Sequence, residues 1–245
     1  MKFIIKDKTS KGFHRLLTLK RKGGTYEDVK NDVSKNDFIR DEVVTSLLEE
    51  QGYICAYCMQ KINETNSTIE HIIGQKYIDQ NDNKLGEQNQ LNYDNLLAVC
   101  NGKSCNQELH CDKSRANYQK NRPLYASPLQ NRIMQNIRFN EKGMIYYKEF
   151  LEIEKIEKLK EHTSLDEDSN IKYDLQKVLN LNCTNLKEKR KILIQALKRV
   201  TKDWSNQEKI RKLLDQYLEK SNNENEEMCQ VAVYVLSKKL KQNIS

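Results

Sequence analysis

Five of the seven cysteines lie between residues 55 and 111, and they constrain the fold more than any other feature. Cys55 and Cys58 form a Cys-x-x-Cys pair, whose thiolates can occupy adjacent corners of a tetrahedral zinc site. A second pair contains Cys100 and either Cys105, after a four-residue spacer, or Cys111, after a ten-residue spacer that loops out. We expect a structural zinc that ties distant segments together. The residues alone leave its fourth ligand open.

The same cysteines indicate a cellular compartment. The apolar segment within residues 1–6 is too short for a signal peptide. No stretch stays apolar over the ~18 residues that a membrane span needs. Clustered cysteines in a chain without an export signal favour metal binding in a reducing environment over disulfides. We therefore expect a cytoplasmic protein that makes no contact with a membrane.

Positive charge is concentrated in two segments of a chain whose formal net charge is +7. Residues 1–22 contain eight Lys and Arg residues against Asp7, and residues 113–142 contain seven against Glu141. A polyanion is the natural partner of such segments, and the second one directly follows the cysteine pattern. The charge distribution therefore predicts nucleic-acid binding. Ordinary solvated charge is the alternative, above all for the first segment.

Composition and apolar spacing predict an α+β protein that is mostly α-helical. The 245 residues include only 8 glycines and 2 prolines, which favours long helices over a turn-rich β fold. Apolar positions at helical spacing predict a helix from Phe38 to about Gln51, capped by Asp37 and ended by Gly52. Apolar runs on both sides of 140–143 predict a hairpin or a loop between short elements.

The C-terminal part predicts a bundle of helices. Patterns that resemble capping boxes begin at Asn185, Ser205 and Asn223, and each precedes a run with helical apolar spacing. Three helices of this size can pack into a small bundle. A domain boundary is expected near 150–165, where the sequence becomes polar and acidic.

An acidic residue and a histidine, Glu70 and His71, are adjacent between the cysteine pairs. Neighbours in a strand point to opposite faces, so the two side chains converge on one site only if the strand bends or bulges there. A carboxylate can hold Mg²⁺, an imidazole can take a proton from water, and a metal can stabilise charge on a phosphate. The pair is sufficient for metal-assisted phosphodiester hydrolysis, although a Glu-His pair alone is a weak signal. The amide of Asn95 can fix a loop or hold the imidazole by a hydrogen bond, although alone it predicts a turn or a helix cap.

Together, Cys-x-x-Cys, Glu-His-Ile, Asn-Leu and the later cysteines resemble the HNH endonuclease motif of the ββα-metal fold, over about residues 53–118. In that fold two strands carry the general-base histidine, and a helix carries the last metal ligand. The resemblance implies that His71 is the general base, that Asn95 orients it, and that Glu70 binds Mg²⁺ or Mn²⁺. The last ligand of that ion is then Asn106 or Asp112, according to which cysteine completes the zinc site.

Five strings together carry a closer resemblance, to the HNH subunit of Septu-type anti-phage systems and to relatives encoded beside retrons. The strings are Gly52-Tyr-Ile-Cys-Ala-Tyr-Cys58, Ile69-Glu-His-Ile72, Tyr93-Asp-Asn-Leu-Leu-Ala-Val-Cys-Asn-Gly102, His110-Cys-Asp-Lys113 and Ser127-Pro-Leu129. In that family the segment before His-Cys-Asp varies in length. The resemblance therefore favours Cys111 as the fourth zinc ligand and Asp112 as the third catalytic position, with Cys105 and Asn106 as the alternative.

The resemblance also implies an organisation and a set of partners. A zinc-stapled HNH nuclease domain (53–150) follows a basic N-terminal arm and the helix that leads into the cysteines (1–52), and precedes a C-terminal helical domain (151–245). The implied partners are nucleic acid, DNA rather than RNA, and the ATPase subunit of the defence system, joined in the retron branch by a reverse transcriptase with its RNA and DNA. Candidates for nucleic-acid contact are His110, Lys113 and Arg115. The alternatives are a non-catalytic zinc-finger subunit that binds nucleic acid and an RNA-cleaving nuclease.

Overall fold

The computed structural model describes residues 1–30, 38–103, 108–117, 122–162, 166–202 and 206–242. Within these ranges the chain is α+β, about half helical, with two small antiparallel sheets. The predicted α+β class is confirmed. Among the described helices, none combines the length and the apolar character that crossing a bilayer requires.

The region before the cysteines is helical. Its elements are α1 (Lys11–Arg21), α2 (Tyr26–Lys30) and α3 (Ile39–Gln51). The predicted helix before the cysteines is confirmed as α3, and Gly52 ends it with a left-handed φ of 66°. Asp37, its predicted cap, lies outside the described residues. The sequence pattern does not predict α1, because its many Lys and Arg residues hide the short apolar face that buries Leu16.

A two-stranded sheet and a helix form the part of the fold that contains the motif residues. The elements are β1 (Ser67–His71), α4 (Leu85–Asn89), β2 (Leu96–Cys100) and α5 (Cys111–Asn117). β1 and β2 are antiparallel, with Glu70 opposite Leu97 and His71 opposite Leu96. Glu70 and His71 therefore end the first strand, and Asn95 immediately precedes the second.

A hairpin follows this unit and confirms the prediction made around 140–143. Its elements are α6 (Asn131–Met134), β3 (Ile137–Phe139) and β4 (Ile145–Tyr147), the two strands being antiparallel. Gly143 has a φ of 74° in the turn, a conformation that side chains other than glycine adopt rarely. The Gly143 carbonyl accepts a 2.6 Å hydrogen bond from the buried Arg190 Nε, which fixes the hairpin to the C-terminal helices.

The C-terminal part is helical, as predicted, but its helices do not begin where the capping patterns indicate. The elements are α7 (Ile153–His162), α8 (Glu167–Tyr173), α9 (Thr184–Val200), α10 (Gln207–Leu218) and α11 (Cys229–Gln242). Asn185 lies inside the first turn of α9, and Asn223 lies in a turn with a φ of 66° before α11. Both predicted caps are wrong, because the same short polar pattern also suits turns. Asn206 caps α10, and Ser205 lies outside the described residues.

One hydrophobic core is shared by all three segments that the sequence analysis distinguishes. It includes Leu47 of α3, Leu97 of β2 and Leu175 and Leu179 after α8, all of them fully buried. A smaller cluster of Leu197, Ile210, Ala232 and Leu236 joins α9, α10 and α11. The HNH-like segment therefore packs directly against the C-terminal segment, and the division into domains stays a prediction.

Candidate functional site

Four cysteine thiols meet where the Cys-x-x-Cys turn, β2 and α5 converge. The Sγ atoms of Cys55, Cys58, Cys100 and Cys111 lie within 4.8 Å of one another. The distance is 3.9 Å from Cys55 Sγ to Cys111 Sγ and 3.7 Å from Cys58 Sγ to Cys100 Sγ. Zinc–sulfur bonds of ~2.3 Å in a tetrahedron place neighbouring sulfurs about 3.8 Å apart. The cluster can therefore hold a metal such as zinc.

Backbone contacts explain why these thiols converge. The Cys-x-x-Cys turn is closed by hydrogen bonds from Cys55 N–H to the Gln60 carbonyl (2.8 Å) and from Met59 N–H to the Cys55 carbonyl (3.0 Å). Ala56 N–H donates to the Ala98 carbonyl at 3.2 Å, which docks the turn on β2. These bonds hold the first pair of thiols against the strand that ends in Cys100.

Cys111 completes the cluster from the first residue of α5. It has a left-handed φ of 52°, and its N–H donates to the Leu179 carbonyl at 2.9 Å. The structure thus brings together the set of four cysteines that the Septu resemblance favours. The alternative pair, Cys105 and Asn106, lies outside the described residues. No disulfide joins the described cysteines, Cys183 and Cys229 among them.

Neighbouring thiols and burial shift the pKa values of three of these cysteines. Hydrogen bonds from Cys111, Cys55 and Cys58 lower the pKa of the Cys100 thiol. Burial raises the pKa values of Cys58 and Cys111 well above their usual range. His110 belongs to this cluster, since its Nδ1 lies 3.3 Å from Cys111 Sγ and the residue is only 1% exposed. The structure therefore places His110 beside the thiols and away from the surface.

A cavity of about 670 Å³ lies between the end of β1, α5 and the N-terminal helices. Glu70 and His71 line it from β1, and Asp112 and Arg115 line it from α5. All four residues are at most 9% exposed. Glu70 and His71 reach one cavity although they are neighbours in a strand, because β1 ends there and the chain bends at the next residue. Both residues therefore line one cavity from the strand end, and their joint role in catalysis stays a prediction.

The rim of this cavity is basic and aromatic. Lys30, Arg40 and Lys76 contribute cationic groups, and Tyr26 contributes its ring. The Tyr26 ring meets the His71 imidazole edge-on, with centroids 4.5 Å apart and an interplanar angle of 86°. Tyr26 reaches the site from α2, far away in the sequence, and no local pattern predicts this contact.

The environment of His71 defines its proton arrangement. His71 Nε2 lies 3.0 Å from the Gln90 carbonyl oxygen, which can only accept a hydrogen bond. We therefore assign the proton of the neutral ring to Nε2, so that Nδ1 is the acceptor. The Gln75 side-chain nitrogen lies 3.5 Å from Nδ1 and 3.4 Å from Nε2, beside both ring nitrogens. Gln90 acts through its backbone, and a main-chain contribution of this kind leaves no signature in the sequence.

Asn95 is bonded to the backbone of two loops near His71. Its Oδ1 accepts from Ile73 N–H at 2.7 Å, and its Nδ2 donates to the carbonyls of Ile73 and Asn89, both at 3.1 Å. One loop follows β1, and the other carries the Gln90 carbonyl that holds the imidazole. Of the two roles open to Asn95, fixing a loop is the one that these hydrogen bonds describe.

Arg115 is buried, with only 2% of its surface exposed, and both terminal nitrogens of its guanidinium donate to acceptors inside the protein. Nη1 donates to Glu70 Oε1 at 2.5 Å and to the His71 carbonyl at 2.6 Å. Nη2 donates to the carbonyls of Ile72 at 2.8 Å and Arg122 at 3.4 Å. Of the three predicted nucleic-acid contacts, only Lys113 is exposed at the surface.

The two cavity carboxylates do not form a close ligand cluster with His71. Among the described residues, the four cysteines are the group in which three or more His, Cys, Asp or Glu ligand atoms converge. Glu70 Oε1 is instead paired with the guanidinium of Arg115. A second metal site at Glu70 and Asp112 therefore remains a prediction.

Comparison with known proteins adds no family. A scan against protein-family models and a search of curated proteins found no match to this chain. Function is therefore inferred from the cysteine cluster, the cavity and the motif residues that form them.

Proposed function

We propose that this protein is a metal-dependent endonuclease of the HNH type, which hydrolyses phosphodiester bonds in nucleic acid and carries a structural zinc. One observation carries the proposal: Glu70, His71 and Asp112 line a single cavity. They do so from a strand–strand–helix unit whose second strand and helix are joined by the cysteine cluster. This is the arrangement expected from the HNH resemblance.

His71 is suited to act as the general base. Its Nε2–H is held by the Gln90 carbonyl at 3.0 Å, so the neutral ring presents Nδ1 as the proton acceptor. When Nδ1 takes a proton from water, the resulting hydroxide attacks phosphorus, the bond from phosphorus to the leaving oxygen breaks, and the ring becomes positively charged. The leaving oxygen then takes a proton from solvent, and the imidazolium returns its proton to solvent.

Glu70 and Asp112 are the residues that would hold Mg²⁺ or Mn²⁺. Such ions are commonly held by one or two carboxylates together with water and substrate phosphate. When bound, the ion supplies charge stabilisation for the phosphate and the leaving oxygen. The chemistry of these two donors supports the ion, whereas the Arg115–Glu70 pair opposes a second cation there.

The rim of the cavity supports a polyanionic substrate. Lys30, Arg40 and Lys76 line it and add to the chain's net charge of +7. Cationic groups around a recessed site attract phosphates and raise the association rate. The HNH resemblance favours DNA, and the same chemistry also permits RNA cleavage.

The Septu resemblance extends the proposal to a partner. In this reading an ATPase subunit controls the nuclease, and the retron branch adds a reverse transcriptase. The C-terminal helices are our proposed docking surface, because they expose large apolar side chains at Ile192 (64%), Val200 (54%) and Leu218 (51%). Co-purification with the ATPase subunit should be lost in the triple variant I192E/V200E/L218E. A triple variant that folds and still co-purifies would place the docking surface elsewhere.

The nuclease activity is tested with the purified, zinc-loaded protein on plasmid DNA and on single-stranded RNA, with Mg²⁺ or Mn²⁺ and with EDTA. We expect divalent-dependent cleavage that His71→Ala abolishes without loss of zinc. His14→Ala is the matched control, because His14 is an exposed histidine of α1 and is absent from the cavity lining. A His71→Ala protein that keeps zinc and cleaves at the wild-type rate would reject the mechanism.

A non-catalytic zinc-finger subunit is the second candidate, and one observation favours it. The Glu70 carboxylate is paired with Arg115 at 2.5 Å, an arrangement that suits a structural role. This candidate predicts salt-dependent binding of nucleic acid without cleavage of DNA or RNA, with or without the ATPase subunit. Cleavage that requires His71 excludes it.

A further inference from the structure

We infer that Arg115 is a positioning residue, which fixes the strand end that carries Glu70 and His71, and is not a contact for nucleic acid. The inference deepens the proposed nuclease function and rests on it for the catalytic test alone. The structural part of the inference is that one guanidinium donates hydrogen bonds to three consecutive residues, 70–72.

The contacts of Arg115 leave it no role at the surface. Its two terminal nitrogens donate to a carboxylate and to three main-chain carbonyls, two of them at 2.6 and 2.8 Å. Its side chain is 2% exposed, and that of its partner Glu70 is 8% exposed. A phosphate would have to replace acceptors that are already in place inside the protein. Recognition of nucleic acid by this arginine therefore requires disruption of the end of β1.

The strand end needs a donor of this kind. Within the part of the chain that the structure describes, β1 belongs to a two-stranded sheet, so one of its edges has no neighbouring strand there. Buried carbonyls near the end of such a strand require other donors. The Ile72 carbonyl also accepts a hydrogen bond from Leu124 N–H at 3.0 Å, so Arg115 is its second donor. The planar guanidinium spans the carbonyls of His71 and Ile72 and the carboxylate of Glu70 at once, which the single ammonium of a lysine cannot do with the same geometry.

Arg115 also connects the cysteine cluster to the candidate base. It lies four residues after Cys111 and three after Asp112 in α5, so the three residues lie close together along one side of the helix. The metal-binding cysteine fixes the start of α5, and Arg115 transmits that position to Glu70 and His71. We infer that the cluster holds the catalytic strand end through this one side chain.

The salt dependence of nucleic-acid binding distinguishes a positioning role of Arg115 from a phosphate contact. Affinity for a short DNA duplex and an RNA oligonucleotide is measured without divalent ions, over a range of salt concentrations. A phosphate contact contributes ~1 unit to the slope of log K against log salt. Arg115→Ala should keep the wild-type slope, whereas Lys113→Ala, an exposed cation on the same helix, should lower it. A slope lowered by about 1 in Arg115→Ala would overturn the inference.

Steady-state cleavage gives a second readout. In Arg115→Ala, Glu70 and His71 should lose their position, so kcat should fall by about 100-fold while KM stays within roughly 2-fold of the wild-type value. Arg115→Lys should recover part of kcat. Arg138→Ala is the matched control, because Arg138 also donates to two carbonyls, those of Gln135 and Ile137, but lies in the hairpin. A selective rise in KM with unchanged kcat would contradict a positioning role.

Hydrogen exchange tests the inference even if the protein cleaves nothing. The amides of Ile72 and Ile73, both bonded to Asn95, should exchange at least about 10-fold faster in Arg115→Ala and by less in Arg115→Lys. Zinc content should stay at the wild-type value. Unchanged exchange at residues 70–73 would overturn the inference, whereas absence of cleavage in the wild type would reject only the proposed function.

Discussion

The Sγ atoms of Cys58 and Cys100 lie 3.7 Å apart, although 42 residues separate them in the chain. Together with Cys55 and Cys111 they form a set whose spacing suits a tetrahedral metal. A metal bound there joins the Cys-x-x-Cys turn, the end of β2 and the start of α5. Metal binding at this set would therefore be coupled to folding of the region.

Removal of the metal should destabilise the protein. Cys111→Ser should lose the bound zinc, and the free energy of unfolding should fall by about 3–4 kcal/mol at metal concentrations 100 to 1,000 times Kd. Elemental analysis and thermal unfolding measure the two effects. Cys183→Ser is the control, because Cys183 is buried outside the cluster, and Cys105→Ser tests the alternative ligand. Loss of zinc in Cys105→Ser with retention in Cys111→Ser would contradict the assignment.

Replacement of one partner of the Lys6–Glu50 ion pair should lower the free energy of unfolding. Lys6 Nζ lies 2.5 Å from Glu50 Oε1 and 2.5 Å from the Leu96 carbonyl, and the two side chains are 7% and 2% exposed. Lys6→Met leaves a buried carboxylate without its partner, so we expect a loss of about 3–5 kcal/mol. The double variant K6M/E50Q should recover most of it in urea denaturation. A single variant as stable as the wild type would show that the pair is not buried in solution.

The Lys6→Met variant should also be sensitive to pH. Burial raises the pKa of Glu50, and Lys6 counteracts this rise. A carboxyl whose folded-state pKa is raised contributes stability below its unfolded-state pKa, and that stability is lost as the pH rises through the folded-state value. The variant should therefore gain stability between neutral pH and about pH 4.5 relative to the wild type. Urea denaturation of the variant and the wild type at both pH values shows whether the stability difference between them becomes smaller at the lower pH.

Asp174 should be required for the segment that follows α5. It is fully buried, accepts hydrogen bonds from the N–H groups of Tyr125 (2.6 Å) and Ala126 (3.0 Å), and pairs with Arg122. Asp174→Asn should lower the free energy of unfolding by about 3 kcal/mol, since the partner loses its counter-charge. Asp168→Asn, in an exposed pair with Lys148, should change stability little. Equal effects of the two substitutions in chemical denaturation would refute this.

Asn95→Asp keeps the size of the side chain but removes the two hydrogen bonds that Asn95 donates. The carboxylate still accepts from Ile73 N–H but cannot donate to the carbonyls of Ile73 and Asn89. We expect a loss of at least about 2 kcal/mol of stability and a strong decrease in cleavage, because the loop with the Gln90 carbonyl is released. Asn66→Asp is the control, since its exposed Oδ1 only accepts, from Asn63 N–H at 2.8 Å. A stable and fully active Asn95→Asp variant would remove Asn95 from the site.

The sequence predicts the local elements of this site better than its long-range ones. Cys-x-x-Cys, the Glu-His pair and the helix ended by Gly52 are signals within a few residues, and the structure contains α3 and brings four of the cysteines together. The role of Arg115 was not predictable, because its acceptors are main-chain carbonyls 43 and 44 residues away. The contacts of Tyr26 and of the Gln90 carbonyl with His71 were not predictable from the sequence for the same reason. Such contacts depend on tertiary packing, which leaves no periodic pattern.

The backbone bond from Cys111 to Leu179 has a consequence for modularity. The residue that completes the cysteine cluster relies on a carbonyl 68 positions later, since its N–H lies 2.9 Å from the Leu179 oxygen. Ser114 of the same helix donates to the Lys177 carbonyl at 3.4 Å. A fragment cut after residue 118 would lack both acceptors and the core side chains around them. Residues 53–118 could therefore not be transferred alone to another protein, because residues after α8 provide part of the support for α5 and its cysteine.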